Sequence, residues 1–292
     1  MRITQSMITR NALYRVQQNR TRMSEIQNRI ATGKKVMKPS DDPTQFARAE
    51  RFEAVLAQND QYLNKIRHAN NWINNSVSLL EQLNDIVLEG RDVANRGADG
   101  QSDAEIRSTL ASKLDSLISE TVAIANSQYL GKSVFAGTDT KTANPFIYAS
   151  GVVSYIGNDQ YMTRSYSETI SVTINTSGQD LMNTGIFNAM TDLRDNLLAD
   201  DEAAIRNSID EMAAAQKQLL NVTAEMGARS KNIFLIESRL EQSSLDIQGF
   251  LSEARDANLE EEIVRYKTEE FAYQAALQAT SNAINLNIMQ YI

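Results

Sequence analysis

Apolar positions recur along this chain at alternating steps of three and four residues. One ladder runs through Ala49, Phe52, Leu56, Asn59, Leu63, Ile66, Asn70, Ile73, Val77, Leu80, Asn84 and Val87, with nine of its twelve rungs apolar. A second runs through Ile205, Ser208, Met212, Ala215, Leu219, Val222, Met226, Arg229, Ile233, Ile236, Leu240, Ser243, Ile247 and Phe250, with eleven of fourteen apolar. A third passes through Leu259, Ile263, Tyr266, Glu270, Tyr273, Leu277, Thr280, Ile284, Asn287 and Tyr291, and Ala272, Ala276, Ala279, Ala283, Leu286 and Met289 widen its apolar face. A repeat near 3.5 residues held this long predicts long helices, each with its seam on one side. A further helix is expected near 103–129 and another in the first 30 residues.

The helix breakers are concentrated in one stretch. Six of the twelve glycines and five of the ten tyrosines fall between 129 and 185. There Ile170, Val172 and Ile174 alternate with Ser171 and Thr173, the period of a half-buried strand. The fold class expected is therefore mainly α: a long antiparallel helical bundle or coiled-coil rod carrying a small β-rich insertion.

Composition narrows the function. The longest apolar run is four residues, as in Ile233–Ile236, where a membrane span needs about 20. The absence of cysteine excludes disulfides and thiolate chemistry, and a single histidine, His68, leaves no His-based metal cluster or ordinary general base. No cofactor is expected. Gly33-Lys34-Lys35 lacks the upstream glycine of a phosphate loop and reads as a helix end. Ser40-Asp41-Asp42-Pro43 might hold a metal, but an acidic cap before a proline at the first helical position explains it better.

Charge is divided unevenly. Residues 1–38 hold nine bases against Glu25, giving +8, and the remainder is −16. A basic arm can bind a polyanion. Residues 253–270, however, carry seven acids against three bases, so the two ends can also pair with one another. In an antiparallel pairing position n faces about 293 − n, which sets Arg29, Lys34 and Lys35 against the window containing Glu260, Glu261 and Glu262.

Several residue series, in order, carry a resemblance. Met1-Arg2-Ile3-Thr4 opens an amphipathic helix that ends at Ile30-Ala31-Thr32-Gly33-Lys34-Lys35-Val36, followed by Pro39-Ser40-Asp41-Asp42-Pro43. Then come Ala125-Asn126-Ser127, Phe135-Ala136-Gly137-Thr138, Pro145-Phe146, Tyr155-Ile156-Gly157-Asn158-Asp159 and, near the end, Tyr273-Gln274-Ala275-Ala276-Leu277-Gln278-Ala279. This set resembles the flagellin superfamily and, within it, the hook–filament junction proteins of the FlgL type. Coverage is good over 1–146 and 250–292 and weak over 180–245.

The resemblance implies a non-enzymatic structural subunit of the bacterial flagellum, extracellular and exported by the flagellar type III route without a cleaved signal. It implies terminal helices (1–42 and 255–292) forming an inner assembly domain, a helical rod domain (43–133 and 186–254) and a β-rich outer domain (134–185). Implied partners are further copies of the chain in a ring, an adjoining hook-associated protein of the FlgK type, flagellin and an export chaperone, with no nucleic acid and no membrane. The assembly surface would use Ile3, Met7, Arg29, Lys34, Lys35, Glu260, Glu261, Glu262, Leu277, Ile284, Leu286 and Met289, with Ser40, Asp41, Asp42 and Pro43 capping the helix between domains. Filament flagellin is the alternative within the family. A soluble coiled-coil adaptor with a basic arm is the alternative outside it.

Overall fold

The computed structural model describes residues 5–288; Ile3 and Met289 lie outside them, and the side chains of Ile284 and Leu286 are likewise not described. Seven helices and six short strands follow in order: α1 (Gln5–Thr32), α2 (Pro43–Gly97), α3 (Ala104–Ala125), β1 (Gln128–Tyr129), β2 (Lys132–Ser133), β3 (Phe146–Ala149), β4 (Val152–Tyr155), β5 (Thr163–Ser165), β6 (Ser171–Thr173), α4 (Gly178–Asn183), α5 (Ile186–Leu198), α6 (Glu202–Arg255) and α7 (Leu259–Ile288). Two compact units result. One comprises residues 1–58 with 243–292, the other residues 59–242. No described helix is long and apolar enough to cross a membrane.

Within the second unit, α2 and α6 run antiparallel. Arg67 meets Glu237 and Glu241, Ser230 donates to the Asn74 side chain, and Gln216 donates to Asn84. Their ladders supply the core: Ile66, Ile73, Leu80 and Val87 face Ile205, Met212, Leu219, Met226 and Ile233, all fully buried. Helices α3 and α5 pack on each other through Leu114, Ile118, Phe187, Met190 and Leu193. Trp72 joins this core, with Tyr129 edge-on at 5.9 Å.

Two buried arginines fasten the connections. Arg107 of α3 donates from Nε to the Gly97 carbonyl that ends α2 (3.0 Å) and from Nη1 to Asp200, in the turn between α5 and α6. Arg194 of α5 donates to the Tyr148 hydroxyl, to the Gly151 carbonyl (3.1 Å) and to Asp195 (2.6 Å). Tyr148 in turn donates to Asp115. The β3–β4 hairpin is thus held to α3 and α5 from its turn.

The β segment is small, as the clustered glycines and tyrosines predict. It holds three separate two-stranded antiparallel ladders, β1–β2, β3–β4 and β5–β6, with most of the intervening chain in turns. Val172 and Ile174 point inward as the alternation requires, but Ile170 is 48% exposed. Residue 170 lies before β6, where the Ile170 carbonyl accepts from Tyr166 N–H and the chain is already turning. Gly178–Asn183 is helical, closed by a capping box between Ser177 and Asp180.

The motif Phe135-Ala136-Gly137-Thr138 packs against Tyr155 and Asn158. The Tyr155 hydroxyl shares its proton between the carbonyls of Asn158 (2.7 Å) and Phe135 (3.0 Å), and Thr138 N–H donates to Asn158 Oδ1 (2.8 Å). Gly137 sits at φ +68°, and a Cβ there would lie 2.1 Å from Asn158 oxygens. Only glycine fits both the left-handed backbone and that approach.

In the other unit, Ala49, Leu251 and Ala254 form a small core flanked by Phe52 and Leu56, and Phe250 stacks on Phe52 at 5.9 Å. This corrects the end of the second ladder. The inward rungs run through half-buried Leu240, buried Ser244, half-buried Ile247, and buried Leu251 and Ala254, while Phe250 is 54% exposed. Two successive steps of four, at 236–240–244, shift the seam by one residue. A straight helix gains about 20° per heptad on a 3.5-residue repeat, and the extra step absorbs that drift.

Candidate functional site: the paired terminal helices

Helices α1 and α7 pair antiparallel in the first unit. Arg22 Nε lies 3.1 Å from Glu269, Gln27 donates to the Tyr266 hydroxyl at 2.9 Å, and Arg29 Nη1 lies 3.7 Å from Glu262. Each of these pairs falls within two positions of the 293 − n register read from the charges.

Two helix breaks lie side by side at the base of this pair. Gly33 ends α1 at φ +69°. The Gly33 carbonyl accepts from Ala257 N–H (2.8 Å), and the Arg255 carbonyl accepts from Lys35 N–H (2.8 Å) and Val36 N–H (3.3 Å). Helix α7 then starts under Asn258, whose Oδ1 accepts from Glu260 N–H (3.1 Å) and Glu261 N–H (3.4 Å). The three glutamates that follow occupy the first turn, where the helix dipole favours negative charge.

The sequence-derived residues divide accordingly. Arg29 and Glu262 meet across the seam, and Glu262 is buried. Glu261 instead pairs with Arg265 on its own helix (2.7 Å). Lys35 Nζ donates to the Glu253 carbonyl, and Lys34 makes an antiparallel backbone bridge to Asp256. Glu260 donates its N–H to the Asn258 side chain. Asp42 Oδ1 caps α2, accepting from Thr44 N–H and Gln45 N–H (both 3.0 Å), with Pro43 as the first helical residue. Asp41 closes the preceding turn, accepting from Met37 N–H (3.0 Å) and Lys38 N–H (3.2 Å), which holds its carboxyl below the usual carboxylate range. Ser40 lies exposed in that turn.

The seam is more polar than the third ladder predicts. From α1 it takes Val16, Asn19, Met23, Ile26 and Ile30; from α7 it takes Glu262, Tyr266, Glu269, Tyr273, Ala276 and Thr280. Leu259, Ile263 and Leu277, rungs of the expected ladder, are turned outward. Pairing with Arg22 and Arg29 selects the face that carries Glu262 and Glu269, which leaves Leu259 and Leu277 at its flank and Val264 and Phe271 facing away from it.

Those outward residues are conspicuous. Met7, Leu13 and Tyr14 on α1, with Val264, Phe271 and Leu277 on α7, are all exposed, Phe271 by 78%. Neither Phe271 nor Val264 lies on the ladder, so periodicity does not mark them; a phenylalanine off the ladder, directly after Glu269 and Glu270, is the available signal. Burying each such side chain would contribute about 1.5–3 kcal/mol. Exposed ion pairs like Arg22–Glu269 contribute only about 0.2–1 kcal/mol each. The geometry therefore provides a register fixed by polar contacts and an apolar surface suited to association. No group of three or more His, Asp or Glu that could hold a metal occurs among the described residues.

Comparisons with known proteins agree with this arrangement. Residues 3–140 match the bacterial flagellin N-terminal helical region. Flagellar hook-associated protein 3 of Salmonella typhimurium is 23% identical over 317 aligned residues, covering 99% of each chain. Among solved structures, the flagellar junction protein FlgL of Legionella pneumophila aligns over 72% of this chain and 100% of its own, with TM-score 0.61 and 12% identity. FlgL of Bacillus cereus aligns over 69% of this chain and 98% of its own, with TM-score 0.60 and 14% identity. At such identities the structural likeness is one of fold. Over 99% of both sequences the chain is similar to flagellar hook-associated protein 3, and in fold it is similar to FlgL.

Proposed function

We propose that this protein is a structural subunit of the bacterial flagellum that joins the hook-associated ring to the filament and is needed for filament assembly and motility. The observation that carries the reading is the likeness to hook-associated protein 3 across 99% of both chains. The exposed large apolar side chains of α1 and α7 support it, because several such residues call for cover by other subunits. On this reading the terminal helices (1–42 and 255–292) form the inner assembly domain, 43–133 with 186–254 the rod, and 134–185 the outer part. The assembly surface comprises Met7, Val264, Phe271 and Leu277, joined by Ile3, Ile284, Leu286 and Met289. Arg29 with Glu262, and the backbone around Lys34 and Lys35, set the register of the pair. Partners are further copies of this chain, an adjoining hook-associated protein of the FlgK type, flagellin and an export chaperone. The protein works outside the cell, leaves by the flagellar type III route, and catalyses nothing.

Filament flagellin is the second reading, favoured by the match over residues 3–140 to the flagellin helical region. Electron microscopy of cells lacking the gene separates the two. The junction reading expects hooks without filaments and flagellin released into the medium. Loss of filaments with no flagellin in the medium would favour the second reading, and normal filaments would overturn both.

A further inference from the structure

The second unit holds a cavity of about 200 Å³ between α2, the β1–β2 ladder and the β5–β6 ladder. Its floor is apolar, made by Trp72, Met162 and Ile174 with Tyr129 beside them. The polar groups around it are His68, Lys132, Arg164 and Thr140. No acid lines it, in a chain of net charge −8. Among the described residues Lys132 and Arg164 enter no ion pair, and Arg164 donates only to the neighbouring Thr163 carbonyl. This differs from Arg22, Arg29, Arg67, Arg107 and Arg194, each of which has a carboxylate partner. The indole N–H of Trp72, a residue 93% buried by its 7% exposure, also meets no acceptor.

An apolar floor under a rim of unpaired cations favours a ligand that combines an apolar body with one negative group. A few convergent polar groups over an apolar lining are the usual form of a small-molecule site. The planar guanidinium of Arg164 matches a carboxylate, and Lys132 adds a second charge. The volume admits one ring with a short chain. We infer that this cavity binds a small apolar monocarboxylate, its carboxylate between Lys132 and Arg164 and its body against Trp72, Met162 and Ile174. The inference is independent of the flagellar reading. Its source is either a free acid or the carboxyl end of a peptide, since both present the same chemistry.

Trp72 is the only tryptophan in the chain, so its emission reports the site directly. The full-length protein is titrated with 3-phenylpropionate, its neutral amide and acetate, followed by Trp72 fluorescence and by saturation-transfer NMR on the ligand. Saturable binding of 3-phenylpropionate is expected, at least about tenfold tighter than that of the amide or acetate, a ratio equal to one decade in Kd. Lys132→Gln with Arg164→Gln changes exposed side chains only and should remove the preference of acid over amide while leaving the circular dichroism spectrum intact. N-acetylphenylalanine distinguishes the sources: tighter binding than 3-phenylpropionate points to a peptide end, weaker binding to a free acid. Absence of saturable binding in both readouts, equal binding of acid and amide, or an unchanged preference in the double variant would each overturn the assignment.

Discussion

Arg107 offers a direct test of what closes the end of the second unit. Its side chain is 8% exposed, whereas those of its ionic partners, Asp200 and the more distant Glu202 (3.9 Å), are 48% and 42% exposed. The Nε donor meets the Gly97 carbonyl at the end of a 55-residue helix. Arg107→Ala removes both contacts and leaves a hole. An unsatisfied buried carbonyl costs about 1–3 kcal/mol, and the lost aliphatic stem adds about 1 kcal/mol. Asp200 can return to water, so Asp200→Asn should cost only about 0.2–1 kcal/mol. Asn also tolerates the left-handed backbone at residue 200 (φ 55°), so the substitution adds no strain. Arg107→Lys keeps a charge near Asp200 but cannot reach both partners, and should fall between. Urea and thermal unfolding followed by Trp72 emission read this unit. About 2–4 kcal/mol corresponds to a fall in Tm of roughly 4–16 °C for a unit of this size. If Asp200→Asn destabilises as much as Arg107→Ala, the ion pair rather than the helix-end carbonyl holds the turn, and this reasoning is wrong.

Four further outcomes are expected. Arg29→Glu should reduce filament number in electron micrographs by setting two carboxylates together at the seam, and Glu262→Arg in the same chain should restore part of it; strictly additive losses would separate the two residues. Phe271→Ser should leave the melting of the isolated chain within about 0.5 kcal/mol of the parent yet abolish motility on soft agar, since this ring is exposed before assembly. Gly137→Ala should destabilise the second unit by at least about 1–2 kcal/mol from backbone strain alone, with further loss from the approach to Asn158, measured by urea unfolding. Burial pushes the hydroxyls of Tyr148, Tyr155 and Tyr161 above the ordinary tyrosine range, with added effect from Asp115 on Tyr148 and Asp180 on Tyr161. Their contribution to stability is therefore complete below the unfolded pKa of about 10 and is lost as pH rises through the folded values, so ultraviolet titration should show late-ionising tyrosines released only as the fold opens.

The long helices were legible because burial on one side of a helix imposes its period on the sequence. Ile66, Ile73 and Leu80 are buried where a 3,4 spacing places them, and Asp42-Pro43 marks the start of α2 through local chemistry alone. The opposite charge of the two ends gave the register of α1 against α7 to within two residues, since it needs only composition in order along the chain. Other features depend on neighbours distant in sequence. Phe250 and Leu251 are equally apolar, and only the partner helix decides that Leu251 turns inward. The face of α7 is legible only in part for the same reason: the 3,4 spacing places Tyr266, Tyr273 and Thr280 at the seam but also favours Ile263 and Leu277, where the arginines of α1 require Glu262 and Glu269. Arg107 and Arg194 look like ordinary helix-surface bases until chain segments 10 to 93 residues away supply their acceptors. The sequence by itself thus determined where the helices run and which ends attract. The tertiary structure alone decided which face each helix buries and which charges are held, because a side chain's energy there depends on what the fold places opposite it.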